Sequence, residues 1–260
     1  MIMRRVALEI PYIIDASYPQ VLRDYWGSSD LKIILKKLKS DFDFLSIKFN
    51  IDEFILNNDI EKIIGFVKFL NNNIDTPLII RGANNTEIDR RLLPILSDTV
   101  RKNSVIAFAD EFTYEAIIPS VIKNQHTLVL RSPIDINLAK ELNILSLDKG
   151  LSQNKILIDP DMGGLGYGIE YGYSIIERIK QAASEGDKML DMPIIGFIGE
   201  ETYRAKEAKS DKFNENWGNY TERARLWELS AASAIAAAGA DIIVLWHPEN
   251  VKVLKETLWN

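Results

Sequence analysis

The chain has 260 residues, no cysteine, two histidines and a formal net charge of −6. Without cysteine it holds no disulfide, no thiolate zinc and no iron–sulfur cluster of its own, and two histidines make an all-protein zinc site unexpected. Its lysines and arginines are scattered through an acidic whole, so no nucleic-acid face is expected.

The N-terminal apolar stretch is broken by Glu9 and does not read as a secretory leader. From there, short β-branched runs predict strands at 5–10 (RVALEI), 44–49 (FLSIKF), 77–82 (PLIIRG), 104–109 (SVIAFA), 127–132 (TLVLRS), 155–160 (KILIDP), 193–198 (PIIGFI) and 241–247 (DIIVLWH). Apolar residues recur at helical spacing over 31–40, 60–73, 87–102, 114–124, 135–150, 170–186, 222–239 and 249–259. Residues 199–220 form the longest stretch without a pattern. The apolar stretch LSAASAIAAAGADIIVLW is cut by Gly239 and Asp241 into a helix and a strand, so no membrane span is expected and a cytoplasmic protein is. Strict alternation of strand and helix argues for a parallel sheet. Eight units in about 250 residues is the size of a TIM barrel. The expectation is one α/β domain over residues 1–260, a (βα)8 barrel, with a doubly wound sheet as the alternative.

A barrel of this kind carries its sites at the C-terminal ends of its strands. Those ends offer Asp15, Asn50, Asp52, Arg81, Asn84, Asn85, Asp110, Glu111, Arg131, Ser132, Asp135, Asp159, Asp161, Glu200, Glu201, Arg204 and His247. The set is rich in carboxylates and amides and lacks a nucleophile with its base. A Ser132–His247 pair would have no third member. No catalytic residue and no metal ligand is assigned. In the second strand Ser46, Lys48 and Asn50 alternate with apolar residues and are expected to face the interior. Glu9 on the first strand is expected to meet Lys48 as a buried ion pair, a reading preferred to a Schiff-base lysine.

Residues 156–179, ILIDPDMGGLGYGIEYGYSIIERI, place Gly163, Gly164, Gly166 and Gly168 within six positions. Glycines so dense in a loop mean positive φ or close approach to the backbone. This stretch, with RSPIDINLAKELNIL (131–145) before it and GDKMLDMPII (186–195) after it, resembles the small (delta) subunit of the corrinoid iron–sulfur protein. That subunit belongs to the CO dehydrogenase/acetyl-CoA synthase system of anaerobic one-carbon (Wood–Ljungdahl) metabolism. YPQVLRDYWG (18–27), RAKEAKS (204–210), ERARLWE (222–228) and AGADIIVLWHPENV (238–251) agree in order.

The resemblance implies a TIM barrel that shares cobalamin with a large (gamma) subunit. The partner carries the iron–sulfur cluster, and this chain carries none. It also implies transient contacts with a methyltransferase and with acetyl-CoA synthase, in methyl transfer from a methyltetrahydropterin. The chain would be a component of that complex rather than an independent catalyst. The cofactor-binding residues expected on this reading are Asn84, Asp135, Asn137, Asp159, Gly163, Gly164, Gly166, Tyr167, Gly168 and Glu200. The sequence departs from the family pattern in three places. The N-terminal extension before the first strand is expected to be absent, Arg81 stands where a small residue is usual, and LWHPEN lacks a basic residue before His-Pro. Two other readings are a stand-alone pterin-binding methyltransferase-type barrel, using Asp15, Asn50, Asn84 and Asp159, and a non-catalytic assembly paralogue.

Overall fold

The computed structural model describes residues 5–38 and 41–258. From β1 (Arg5–Pro11) the chain runs through α1 (Gln20–Trp26) and α2 (Leu31–Lys37) to β2 (Phe44–Lys48). α3 (Glu53–Asn73), β3 (Leu78–Arg81), α4 (Thr86–Thr99), β4 (Val105–Ala109), α5 (Tyr114–Lys123), β5 (Thr127–Arg131), α6 (Ile136–Asp148) and β6 (Ile156–Asp159) follow. Then come α7 (Ile169–Ser184), β7 (Ile195–Phe197), α8 (Ile198–Arg204), α9 (Lys206–Lys209), α10 (Tyr220–Ala238), β8 (Ile242–Leu245) and α11 (Pro248–Leu258).

All strand pairs are parallel, in the order β6-β5-β4-β3-β2-β1-β8-β7. The remaining seam carries a single bridge, Ile158 to Ile194, with the Ile158 N–H donating to the Pro193 carbonyl at 2.9 Å. The eight expected strands therefore form a nearly closed TIM barrel, and the doubly wound alternative falls away.

Side-chain alternation explains the layers. Leu8, Ile10, Leu45, Ile47, Leu78, Ile80, Leu128 and Leu130 point outward into the core beneath the helices. Ala7, Phe44, Ile79, Val105, Val129, Leu157, Ile195 and Val244 form a separate interior cluster. A register shift between Ala107 and Ala109 breaks the alternation in β4, and both Ala107 and Phe108 join that interior cluster. Such bulges re-aim a side chain. Here the re-aimed ring is placed under the barrel mouth.

Side-chain caps fix where several helices begin. Asp52 accepts from the Ile55 N–H, Asn85 from Glu87 and Ile88, and Asp135 from Asn137 and Leu138. The Asp52 cap starts α3 seven residues before its apolar pattern becomes regular. α1 lies in a stretch without an expected helix, and the stretch expected to be irregular after β7 holds α8 and α9. No helix among the described residues is long and apolar enough to cross a membrane.

Candidate functional site at the barrel mouth

Ion pairs floor the mouth. Glu9 is fully buried; its Oε1 accepts from Arg81 Nη1 at 2.7 Å and Trp246 Nε1 at 2.9 Å, and its Oε2 from Ser46 Oγ at 2.8 Å. Arg81 Nη2 reaches Glu200 Oε2 at 2.6 Å. Glu200 Oε1 accepts from Lys48 Nζ at 2.7 Å and Arg204 Nη2 at 3.0 Å. The chain of charges thus runs Glu9–Arg81–Glu200–Lys48. The expected Glu9–Lys48 pair is corrected: Glu9 pairs with Arg81 and Lys48 with Glu200. The register explains it, because Glu9 lies level with Ser46 while Lys48 lies level with Pro11 and Arg81, one layer nearer the mouth.

A second cluster lies beside the first. Arg131 Nε donates to Asp159 Oδ2 at 2.8 Å, and its Nη1 is 3.4 Å from both Asn84 Oδ1 and Asp161 Oδ1. The Arg131 guanidinium lies 3.2 Å from the centroid of Phe108, and that of Arg81 lies 5.6 Å from Phe108 and 4.4 Å from Phe197. The Phe108 ring thus attracts both cations, and Phe197 attracts Arg81.

The electrostatics follow from this packing. Burial pushes the Glu200 carboxyl up, but Arg81, then Lys48 and Arg204, outweigh it and hold the group well below the usual carboxylate range. Burial of Asp161 prevails over the nearby Arg131, so its carboxyl titrates above the ordinary aspartate value. Behind the mouth, burial raises Glu228 from 4.5 to about 7 against N–H donors from Trp246, Asn250 and His247. A carboxyl raised in the folded state contributes stability that is full below pH 4.5 and is lost as pH rises through about 7. Burial lowers His247 to about 4, which gives the opposite slope at acid pH. Urea midpoints of Glu228→Gln minus wild type, measured against pH, are therefore expected to become more favourable to the variant between pH 4.5 and 7. A flat difference across that window would exclude the raised carboxyl.

The glycine loop answers in two ways. A Cβ on Gly163 would stand 2.2 Å from the Tyr167 carbonyl oxygen, and one on Gly164 would stand 2.7 Å from that of Glu201. These two glycines admit the chain's own backbone. Gly166 and Gly168 have φ of +80° and +94°, and between them Tyr167 is exposed at the rim. Gly164→Ala is expected to lower stability by about 1–3 kcal/mol through overpacking. An unchanged denaturation midpoint would mean that the α8 backbone yields freely.

The other expected residues divide by exposure. Asn84, Asp135 and Asn137 are exposed at the rim, Asn84 with φ of +64°. Asp159 and Glu200 are buried in the ion pairs. Asn50 accepts from the Ile13 N–H and donates to the Ile13 carbonyl, both at 2.9 Å, and so clamps the β1–α1 loop. Asp15 is engaged with Ser17. Ser132 and His247 follow β5 and β8, with β6 and β7 between them in the ring, so they form no adjacent dyad.

Sequence reading missed a cleft of about 400 Å³ beside the floor, lined by Tyr18, Arg23, Lys48, Glu200, Tyr203, Arg204, Lys209 and Trp246 among others. Its walls combine the ends of β1 and β2, the β1–α1 loop and Trp246 after β8 with α1, α8 and α9, short helices that show no periodicity of their own. Lys48, Asn50, Glu200 and Arg204 were visible as strand-end or inward-facing residues, but nothing in the sequence joined them to Tyr18, Arg23, Tyr203 and Lys209.

A nearly closed parallel barrel with its polar residues at the C-terminal mouth defines the class. Dihydropteroate synthases share that fold. The *Yersinia pestis* enzyme solved with a pterine–sulfa conjugate superposes at a TM-score of 0.61 with 12% identity, covering 98% of this chain and 93% of that one. The *Coxiella burnetii* enzyme with pteroic acid gives 0.60 and 13%, covering 98% and 91%. At such identity the likeness is one of fold. The family described as CO dehydrogenase/acetyl-CoA synthase delta subunit matches residues 30–259, and the chain belongs to that family.

Relatives named acetyl-CoA decarbonylase/synthase complex subunit delta agree. That of *Methanopyrus kandleri* is 29% identical over 187 residues, 71% of this chain and 46% of the relative. That of *Methanocaldococcus jannaschii* is 30% identical over 189 residues, 70% and 45%. That of *Methanosarcina mazei* is 30% identical over 193 residues, 70% and 43%. The matched stretch thus spans less than half the length of these relatives.

Proposed function

We propose that this barrel is the delta-type component of a corrinoid methyl-transfer protein, pairing with a large, iron–sulfur-bearing subunit and presenting its mouth to a shared cobalamin. The family match over residues 30–259 carries the reading. A corrinoid supplies the methyl-carrying metal, so this chain's task is to bind and orient rather than to react.

The rim suits a large flat ligand edged with amides. Asn84, Asp135 and Asn137 offer exposed polar side chains. Gly166 is exposed, with a Cβ there meeting nothing closer than Trp227 at 3.8 Å, Gly168 turns the chain at positive φ against the Tyr171 ring, and Tyr167 offers an exposed ring. In this reading Asp159 and Glu200 act by holding Arg131, Arg81 and Lys48 in place. Gly163 and Gly164 set the shape of the loop.

The pterin-binding alternative fits less well. Arg81 is buried and paired with Glu9 and Glu200, Asp159 is taken by Arg131, and Asn50 is taken by Ile13. Among the described residues, neither Asn50 nor Asp159 is left free at the floor to grip a pterin edge.

Anaerobic size-exclusion of the chain mixed with a corrinoid iron–sulfur large subunit tests the pairing. Co-elution is expected, with corrinoid absorbance in the shared peak. Separate elution would remove the proposal. A shared peak without corrinoid would support an assembly role instead.

A further inference from the structure

We infer that the cleft between the β1–α1 loop and the α8–α9 segment is a binding site for a small oxyanion with two or more charges, a phosphate ester or a dicarboxylate. In a chain of net charge −6, four cations converge on this one cleft: Arg23, Lys48, Arg204 and Lys209. Among the described residues, Glu200 is the only carboxylate on its wall. One Glu200 oxygen is taken by Lys48 and Arg204 and the other by Arg81, so Glu200 has none left for Arg23 or Lys209.

Arg23 donates to neutral groups, the Tyr18 carbonyl at 3.0 Å and Gln20 Oε1 at 2.5 Å. Neither Arg23 nor Lys209 has a carboxylate within ion-pair distance among the described residues. Two positive charges are therefore left for a ligand. Their field is focused by a low-dielectric wall, in which Trp246 stacks on Tyr203 at 5.8 Å and 11° and packs on Tyr18 at 5.3 Å. Tyr203 is nine-tenths buried, and its hydroxyl has no hydrogen-bond partner among the described residues. A volume of about 400 Å³ is that of a small-molecule site.

The site uses none of the glycine-loop residues, and it is read on the chain alone, so its failure leaves the delta-subunit reading untouched. Calorimetric and thermal-shift titrations with inorganic phosphate and with citrate, at constant ionic strength in chloride, test it. Saturable binding and a concentration-dependent rise in melting temperature are expected for at least one of the two anions. Phosphate alone points to a phosphoryl ligand and citrate alone to a carboxylate. In the double variant Arg23→Gln, Lys209→Gln, checked for fold by circular dichroism, affinity is expected to fall at least about tenfold. No binding of either anion, the same shift with chloride, or undiminished affinity in the folded double variant would overturn the inference.

Discussion

Replacing Arg81 with methionine is expected to cost about 3–5 kcal/mol of folding stability, the range for removing one partner of a buried ion pair. The guanidinium is 2% exposed and joins two carboxylates, at 2.7 Å to Glu9 and 2.6 Å to Glu200. Without it, Glu9 keeps only Ser46 and Trp246 as hydrogen-bond donors, and no cation. Lys48→Met is expected to cost clearly less, because Glu200 retains Arg81 and Arg204. Equal losses in the two variants would contradict this distribution of partners. The acid limb provides a second check. Glu200 is held below its ordinary value of 4.5, so its contribution is present above that pH and is lost as pH falls further. Arg81→Met removes the foremost cation behind that depression, so its destabilisation should shrink as the solution is acidified below pH 4.5.

Gly199→Ala should be nearly as damaging, at about 3 kcal/mol, the upper end for overpacking a core. A Cβ there would lie 2.4 Å from Trp246 Cδ1, 2.6 Å from its Cγ and 2.7 Å from its backbone nitrogen. Trp246 has little freedom to give way. Its backbone N–H is held by Glu228 at 2.7 Å, its indole N–H by Glu9, and its ring packs against Tyr18 and Tyr203. The urea midpoint and the tryptophan emission should both move. A variant with wild-type midpoint and spectrum would mean that α8 shifts at little cost.

The fold was legible in the sequence because each strand is a short β-branched run and each long helix shows its own period. The inward face of β2 was legible for the same reason. The partners across the barrel were not, because pairing depends on strand register, which places Lys48 one layer above Glu9 and puts Arg81 between Glu9 and Glu200. Phe108 was hidden too, since the β4 shift turns inward a residue that alternation assigns outward. The glycine loop showed its own importance but not which glycines admit the chain and which remain at the rim. The cationic cleft left the weakest trace, because its arginines and lysines lie in separate short segments that only the folded barrel brings together.

The shared-cofactor reading is tested most directly by an anaerobic visible-absorption titration of hydroxocobalamin with a corrinoid iron–sulfur large subunit, run with and without this chain. A spectral change or tightened midpoint that requires the chain is the expected result. Identical spectra and midpoints with and without it would contradict the proposal, and pterin would then be the next ligand to titrate.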